Sequence, residues 1–250
     1  MKSLTIAPVT TAIFLSGPQN ELANFIVENL PPEIIHDGMI LVVTSKIVSL
    51  SENRLVPRDS IEKSALVVRE ADHNLGEIGY GTILTIKEGL LIASSGIDES
   101  NSEHGDYILY PENPFESARQ LWSALRSAYN IEKLGILLTD SRTSPLRLGV
   151  TGVALAYWGF HGLQNKVGSR DLFGRQLQMT KINIADGLAA AATIVMGEGD
   201  EARPLAVISG AEVEFAAQTE PGELRIALEN DLYYPFLKPH LKVAKAPERI

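Results

Sequence analysis

The chain has 250 residues, 45% of them hydrophobic, enough to bury a sizeable core in one large domain or two small ones, and it has no cysteine, which excludes disulfides, thiolate metal ligands and cysteine nucleophiles. A formal net charge of -9 without a basic cluster argues against nucleic acid or an anionic membrane as a partner. No apolar run nears the ~20 residues of a membrane span, and Met1 to Leu15 lacks the pattern of a secretory signal, so the expected location is the cytoplasm.

In chain order, apolar spacing predicts a helix over 20–30 ("NELANFIVENL"), a β-branched strand over 38–50 ("GMILVVTSKIVSL") and a helix over 59–74. A strand over 81–97, a helix over 114–130 and a strand over 134–141 ("LGILLTDS") follow. The last elements are a helix over 184–197, stopped by Gly197, and a strand over 203–210. Mixed elements without βαβ regularity indicate an α+β or irregular mixed α/β fold, with irregular mixed sheets flanked by helices. Residues 1–235 are expected to form a single domain, with two subdomains left open, and 236–250 a weakly ordered tail.

Three element ends carry residues suited to chemistry. In "LLIASSGIDESN" a strand passes through Ser94, Ser95 and Gly96 to Asp98, Glu99 and Asn101, oxygen groups that suit a hard cation such as Mg²⁺ or Mn²⁺ and equally suit an ordinary turn. Asp140, where a buried strand turns polar, could hold a cation toward a ligand or cap a helix. In "VMGEGDEARP", Gly197 and Gly199 could offer backbone N–H groups to phosphate and Glu198 a third carboxylate; a helix stop and a solvated turn is the alternative. Carboxylates recurring at element ends are what a phosphate-and-metal site requires.

The segments "VVTSKIVS" (42–49), "SSGIDESN" (94–101), "LGILLTDS" (134–141), "GVTGVALAYWGFHGL" (149–163), "GSRDLFGRQLQMTKINIADGLAAAATIVMGEGD" (168–200) and "RPLAVISG" (203–210) resemble, in that order, the γ-glutamyl ligase of deazaflavin coenzyme F420 biosynthesis. The resemblance covers approximately residues 5 to 215. It implies GTP-dependent addition of L-glutamate to the lactyl carboxylate of the deazaflavin precursor F420-0, with Mg²⁺ or Mn²⁺, through an acyl phosphate. Carried over by position, Asp98 and Asp140 are implied as catalytic metal-binding carboxylates, with Ser141, where the family usually has Thr, and Glu198 as further ligands. Ser45, Lys46, Asn101 and the loop from Gly197 through Gly199 to Arg203 are implied to face the nucleotide. A homodimer is also implied, and the apolar "ALAYWGFHGL" (154–163) is hard to leave exposed.

The departures fall on the nucleotide side. The family's Thr-x-Gly-Arg after the strand-end Asp is here Ser141, Arg142, Thr143 and Ser144, so Arg142 or Arg147 would have to replace the lost cation. Leu50 stands where the family has a nucleotide-facing Lys, and "TTAIF" (10–14) replaces a Gly-x-Pro segment. These changes keep open a metal-dependent nucleotide-binding paralogue without ligase activity. His161, Trp122 and Trp158 read as packing residues; Arg170, Asp171 and Arg175 read as an exposed ion-pair set, with substrate contact as the alternative.

Overall fold

The most apolar run of the chain, Met39 to Val43, is wholly buried at the centre of a five-stranded sheet. The protein is described here from a computed structural model covering residues 3–16 and 19–242. Its elements are β1 (Thr5–Val9), α1 (Gln19–Asn29), β2 (Met39–Thr44), α2 (Ser45–Ser51), β3 (Leu55–Val56), α3 (Lys63–Glu70), β4 (His73–Glu77), β5 (Ile83–Lys87), β6 (Leu90–Ala93) and β7 (Tyr107–Ile108). They continue with α4 (Pro114–Tyr129), β8 (Leu134–Thr143), β9 (Val150–Trp158), β10 (Leu163–Asn165), β11 (Lys181–Asn183), α5 (Ile184–Met196), β12 (Leu205–Ser209) and α6 (Tyr234–Leu237).

The main sheet has the order β1-β12-β2-β8-β9, parallel only between β2 and β8. Those two strands are buried on both faces, which is why they read as unbroken apolar runs rather than as alternation. Helices α4 and α5 pack against β8 and β9. Each fully buried Leu, Ile or Val here contributes about 1.5–3 kcal/mol of transfer free energy. Antiparallel β4-β5-β6, the β3-β7 pair and α3 surround a second, smaller core of Leu66, Val67, Ile97, Tyr107 and Leu109. The fold is thus α+β with irregular mixed sheets flanked by helices.

Several expected boundaries move for identifiable reasons. The strand expected over 38–50 stops at Thr44, and Ser45–Ser51 is helical, because a short buried β-branched run fits either structure until its neighbours choose. The stretch 81–97 folds back at Glu88 and Gly89, both with positive φ, as a two-residue hairpin turn requires. The helix expected over 59–74 shortens to Lys63–Glu70, and His73–Glu77 is a strand. Asp140 is not at a strand end: β8 runs on to Thr143, because β9 supplies a partner as far as the Thr143–Val150 pair. The register of that pair slips between Leu138 and Thr139, leaving Leu155 as a bulge opposite them.

The stretch 154–163 is not an exposed apolar face. Leu155, Ala156, Tyr157 and Phe160 are buried within the chain's own core. Residues 236–242, expected in a loose tail, complete α6, form a further turn and pair with β4 between Lys242 and Asn74; 243–250 lie outside the described residues.

Candidate active site

A cavity of about 550 Å³ opens where the main sheet meets the smaller core, within the size range of small-molecule sites. One wall comes from the main sheet: Thr44 ends β2, Lys46 and Leu50 lie on α2 directly after it, and Asp140 and Ser141 lie on β8. The opposite wall is the loop from Asp98 to Asp106, and the segment after α5 closes a third side. Residues 11–16 complete the enclosure, held by hydrogen bonds from Thr11 N to Ala202 O and from Ala12 N to Asn29 Oδ1.

The handover from β2 to α2 decides which residues face inward. Lys46, Ile47 and Leu50 share one helical face and line the cavity. Ser45, implied to face the nucleotide, is buried outside the lining, because the helix turns it away from that face. Leu50, Ile47 and Leu55 form an apolar patch of wall.

Asp98 reaches the cavity through a strained turn: Ser94, Ser95 and Gly96 all have positive φ. The buried Ser95 offsets that strain by donating to Val67 O and by bonding its N–H to Thr85 Oγ1. Reciprocal backbone bonds with Ile108 then fix Asp98. Its carboxylate accepts from Lys46 Nζ at 2.7 Å and from Ser100 N and Oγ at 2.8 Å. Burial would raise its pKa, but Lys46 and Ser100 outweigh burial and hold it below the ordinary value.

Asp140 is held differently. Tyr110 donates its hydroxyl to Asp140 Oδ2 at 2.5 Å. Burial, reinforced by the charges of Asp98 and Glu198, pushes the Asp140 pKa up to about 6 despite hydrogen bonds from Tyr110 and Ser141. Glu198 accepts from Ser141 Oγ at 3.2 Å, and burial together with Asp98 and Glu201 raises its pKa as well.

The structure therefore brings Asp98, Asp140, Ser141, Glu198, Lys46, Asn101, Gly197, Gly199 and Arg203 to one cavity. The glycine N–H groups are engaged within the chain: Gly197 N bonds Thr193 O and Gly199 N bonds Glu201 Oε2. Arg142 and Arg147 do not line the cavity; extension of β8 carries them out along the hairpin, and Lys46 and Arg203 are the Lys and Arg residues on its wall. Asp171 accepts from the backbone N–H groups of Phe173 and Arg175, closing a turn, and none of Arg170, Asp171 and Arg175 lines the cavity. His161 lies 3.1 Å from Glu223, and Trp122 donates to Leu134 O. Tyr110 escaped sequence reasoning, because nothing in "YILY" distinguishes one core aromatic from another.

The donor set fits a hard divalent cation in its chemistry. It is all oxygen, and burial, with the neighbouring charge of Asp98 as a smaller contribution, raises the pKa of both Asp140 and Glu198. In the present geometry each carboxylate is turned to a protein donor, and no three Asp, Glu or His groups among the described residues stand close enough to share an ion. A cation at Asp98 would compete with Lys46 for Oδ2, and one at Glu198 with Ser141 for Oε2.

Residues 15–210 match the sequence model of a family described as F420-0:Gamma-glutamyl ligase. The chain is similar to the coenzyme F420:L-glutamate ligase of Methanopyrus kandleri, 32% identical over 231 residues, 85% of this chain and 90% of that one. It is 35% identical over 220 residues to the enzyme of that name from Methanocaldococcus jannaschii, covering 81% and 86% of the two chains. With the one from Methanothermobacter thermautotrophicus, identity is 33% over 215 residues, covering 78% and 85%.

Proposed function

The chain belongs to the F420-0:γ-glutamyl ligase family, an amide-bond-forming enzyme family, and from that premise we propose that it adds L-glutamate to F420-0 using GTP and Mg²⁺ or Mn²⁺. One observation carries the assignment to a site: Asp98, Asp140, Glu198 and Lys46 reach a single ligand-sized cavity from separate elements. Asp98, Asp140, Ser141 and Glu198 would hold the cation, which supplies charge neutralisation for phosphoryl transfer.

In this reading, the terminal phosphoryl group passes to an oxygen of the acceptor carboxylate as its bond to the nucleotide breaks. The amine of glutamate then attacks the acyl carbon, a C–N bond forms, the C–O bond to phosphate breaks, and the amine loses a proton. Lys46 leaves Asp98 for a phosphate oxygen, and Asp98 is thereby freed. The wall of Ile47, Leu50 and Leu55 receives an apolar or ring surface rather than a charge. A missing lysine contact is worth about 1.5–3 kcal/mol, so GTP binding is expected to be weak. A homodimer belongs to the same reading. Leu146, Leu148, Leu172, Phe173 and Met179 stay exposed on the two hairpins and offer a surface for it, and light scattering should report about twice the 27.2 kDa chain mass.

The decisive experiment is mass spectrometry of F420-0 after incubation with protein, nucleotide, metal and L-glutamate. One added glutamyl residue with release of phosphate is expected. Folded, metal-loaded protein that yields no glutamylated product with GTP or ATP would favour the second reading, a nucleotide-binding paralogue, for which Leu50 on the cavity wall is the specific observation.

A further inference from the structure

Tyr110 is only 4% exposed, and its ring is gripped on several sides. Ile92 and the bulged Leu155 pack against it. At Gly96 an added Cβ would overlap the ring, so that glycine in the turn before Asp98 makes the room Tyr110 occupies. Its main chain is anchored too: Arg54 Nε donates to Tyr110 O at 3.0 Å, and Arg54 is itself paired with Glu70. A ring pinned in this way can aim its hydroxyl in few directions. It aims at Asp140 Oδ2.

We propose that Tyr110 is a positioning residue for the phosphoryl-transfer site: its hydroxyl holds Oδ2 of Asp140, so that Oδ1 is presented to the cation in the cavity. The inference rests on the reading of Asp140 as a cation ligand given above. Packing alone would be served by phenylalanine, which fills the same space. The hydroxyl adds a directed hydrogen bond to a half-buried carboxylate that borders the cavity. Outer partners of this kind fix the orientation of a ligating carboxylate, and losing one typically weakens metal binding about 10- to 100-fold. Because Tyr110 abuts Gly96 while its hydroxyl bonds Asp140, it ties the turn carrying Asp98 to β8, which carries Asp140, so the two carboxylates keep their relative placement.

The test is Mn²⁺ binding to the full chain, read from the electron paramagnetic resonance signal of free Mn²⁺ well below the melting temperature, for wild type, Tyr110→Phe and Asp140→Asn. Loss of the site in Asp140→Asn with binding about tenfold or more weaker in Tyr110→Phe supports the proposal. Loss in Asp140→Asn with wild-type affinity in Tyr110→Phe overturns it and leaves the site assignment intact. Wild-type affinity in Asp140→Asn overturns both. A measurement on the wild-type chain guards against a variant that folds poorly: Mg²⁺ should perturb the near-ultraviolet absorption of a buried tyrosine, and a flat difference spectrum at saturating Mg²⁺ also overturns the proposal.

Discussion

Asp98 and Asp140 border the same cavity, yet they are held in opposite ways. Asp98 lies on the smaller-core side, partly exposed, with Lys46 as a counter-charge and a pKa below the ordinary value. Asp140 lies on the main sheet, half-buried, with a neutral phenol as its side-chain partner and a pKa pushed up to about 6. One carboxylate is thus already neutralised by a cationic side chain, while the other has no cationic side chain bonded to it. Burial without a cation is a cost to the folded state, and a cost of that kind is commonly found where a ligand binds.

The largest effect should come from erasing the contrast on either side. Asp140→Asn and Asp98→Asn should each lower ligation by about 100-fold or more and remove the rise in melting temperature expected from Mg²⁺ and GTP together. In metal-free protein at neutral pH the two should differ: Asp98→Asn abandons Lys46 and destabilises, whereas Asp140→Asn removes an unbalanced buried charge and does not. Equal destabilisation by both, measured in urea, would break the comparison.

The next effect is on pH dependence. The folded-state pKa of Asp140 lies above its ordinary value of 3.8, so between pH ~4 and ~6 the folded chain binds more protons than the unfolded one. Stability therefore falls as pH rises through that window, by about 3 kcal/mol for a rise from 3.8 to about 6. Asp98 has the opposite sign: its lowered pKa contributes stability that is present above the ordinary value and lost as pH falls below it. Metal-free protein should accordingly be more stable at pH 5 than at pH 7, and Asp140→Asn should flatten that slope. Urea titrations across the range that show no such slope in the wild type would contradict the burial argument.

A smaller effect sharpens the comparison from the cationic side. Lys46→Gln should weaken GTP binding about tenfold through the lost charge-assisted contact. By releasing Asp98 it should strengthen Mn²⁺ binding in the absence of nucleotide. Calorimetry of the two ligands separately should give changes of opposite sign; a loss of affinity for both would show that Lys46 does not compete with the cation.

Much of the cavity was legible residue by residue. Asp98, Asn101, Asp140 and Glu198 announce themselves because polar groups beside apolar strands, and glycines beside acids, are local patterns, whereas Lys46 and Ser141 came in only through the family resemblance. Ser45 and Lys46 show where such patterns stop: adjacent and both polar, they are separated by a helical turn that begins at Ser45 and was hidden in a β-branched run. The stretch 154–163 is similar. Its hydrophobicity was plain, but whether it met solvent, a second copy or the chain's own core depended on β8 and α4 packing against it.

What the amino-acid order determined by itself was the mixed α+β class, the buried runs of β2 and β8, and which residue types could do chemistry, because apolar periodicity and turn chemistry act over a few neighbouring residues. What only the tertiary structure decided was pairing over distance. Lys46 meets Asp98, Tyr110 meets Asp140 and Ser141 meets Glu198 across separations of 52, 30 and 57 positions. Partners so far apart in the chain leave no mark on each other's local pattern. They are joined by the burial of two cores against one another, which places two carboxylates of similar appearance in environments that drive their protonation in opposite directions.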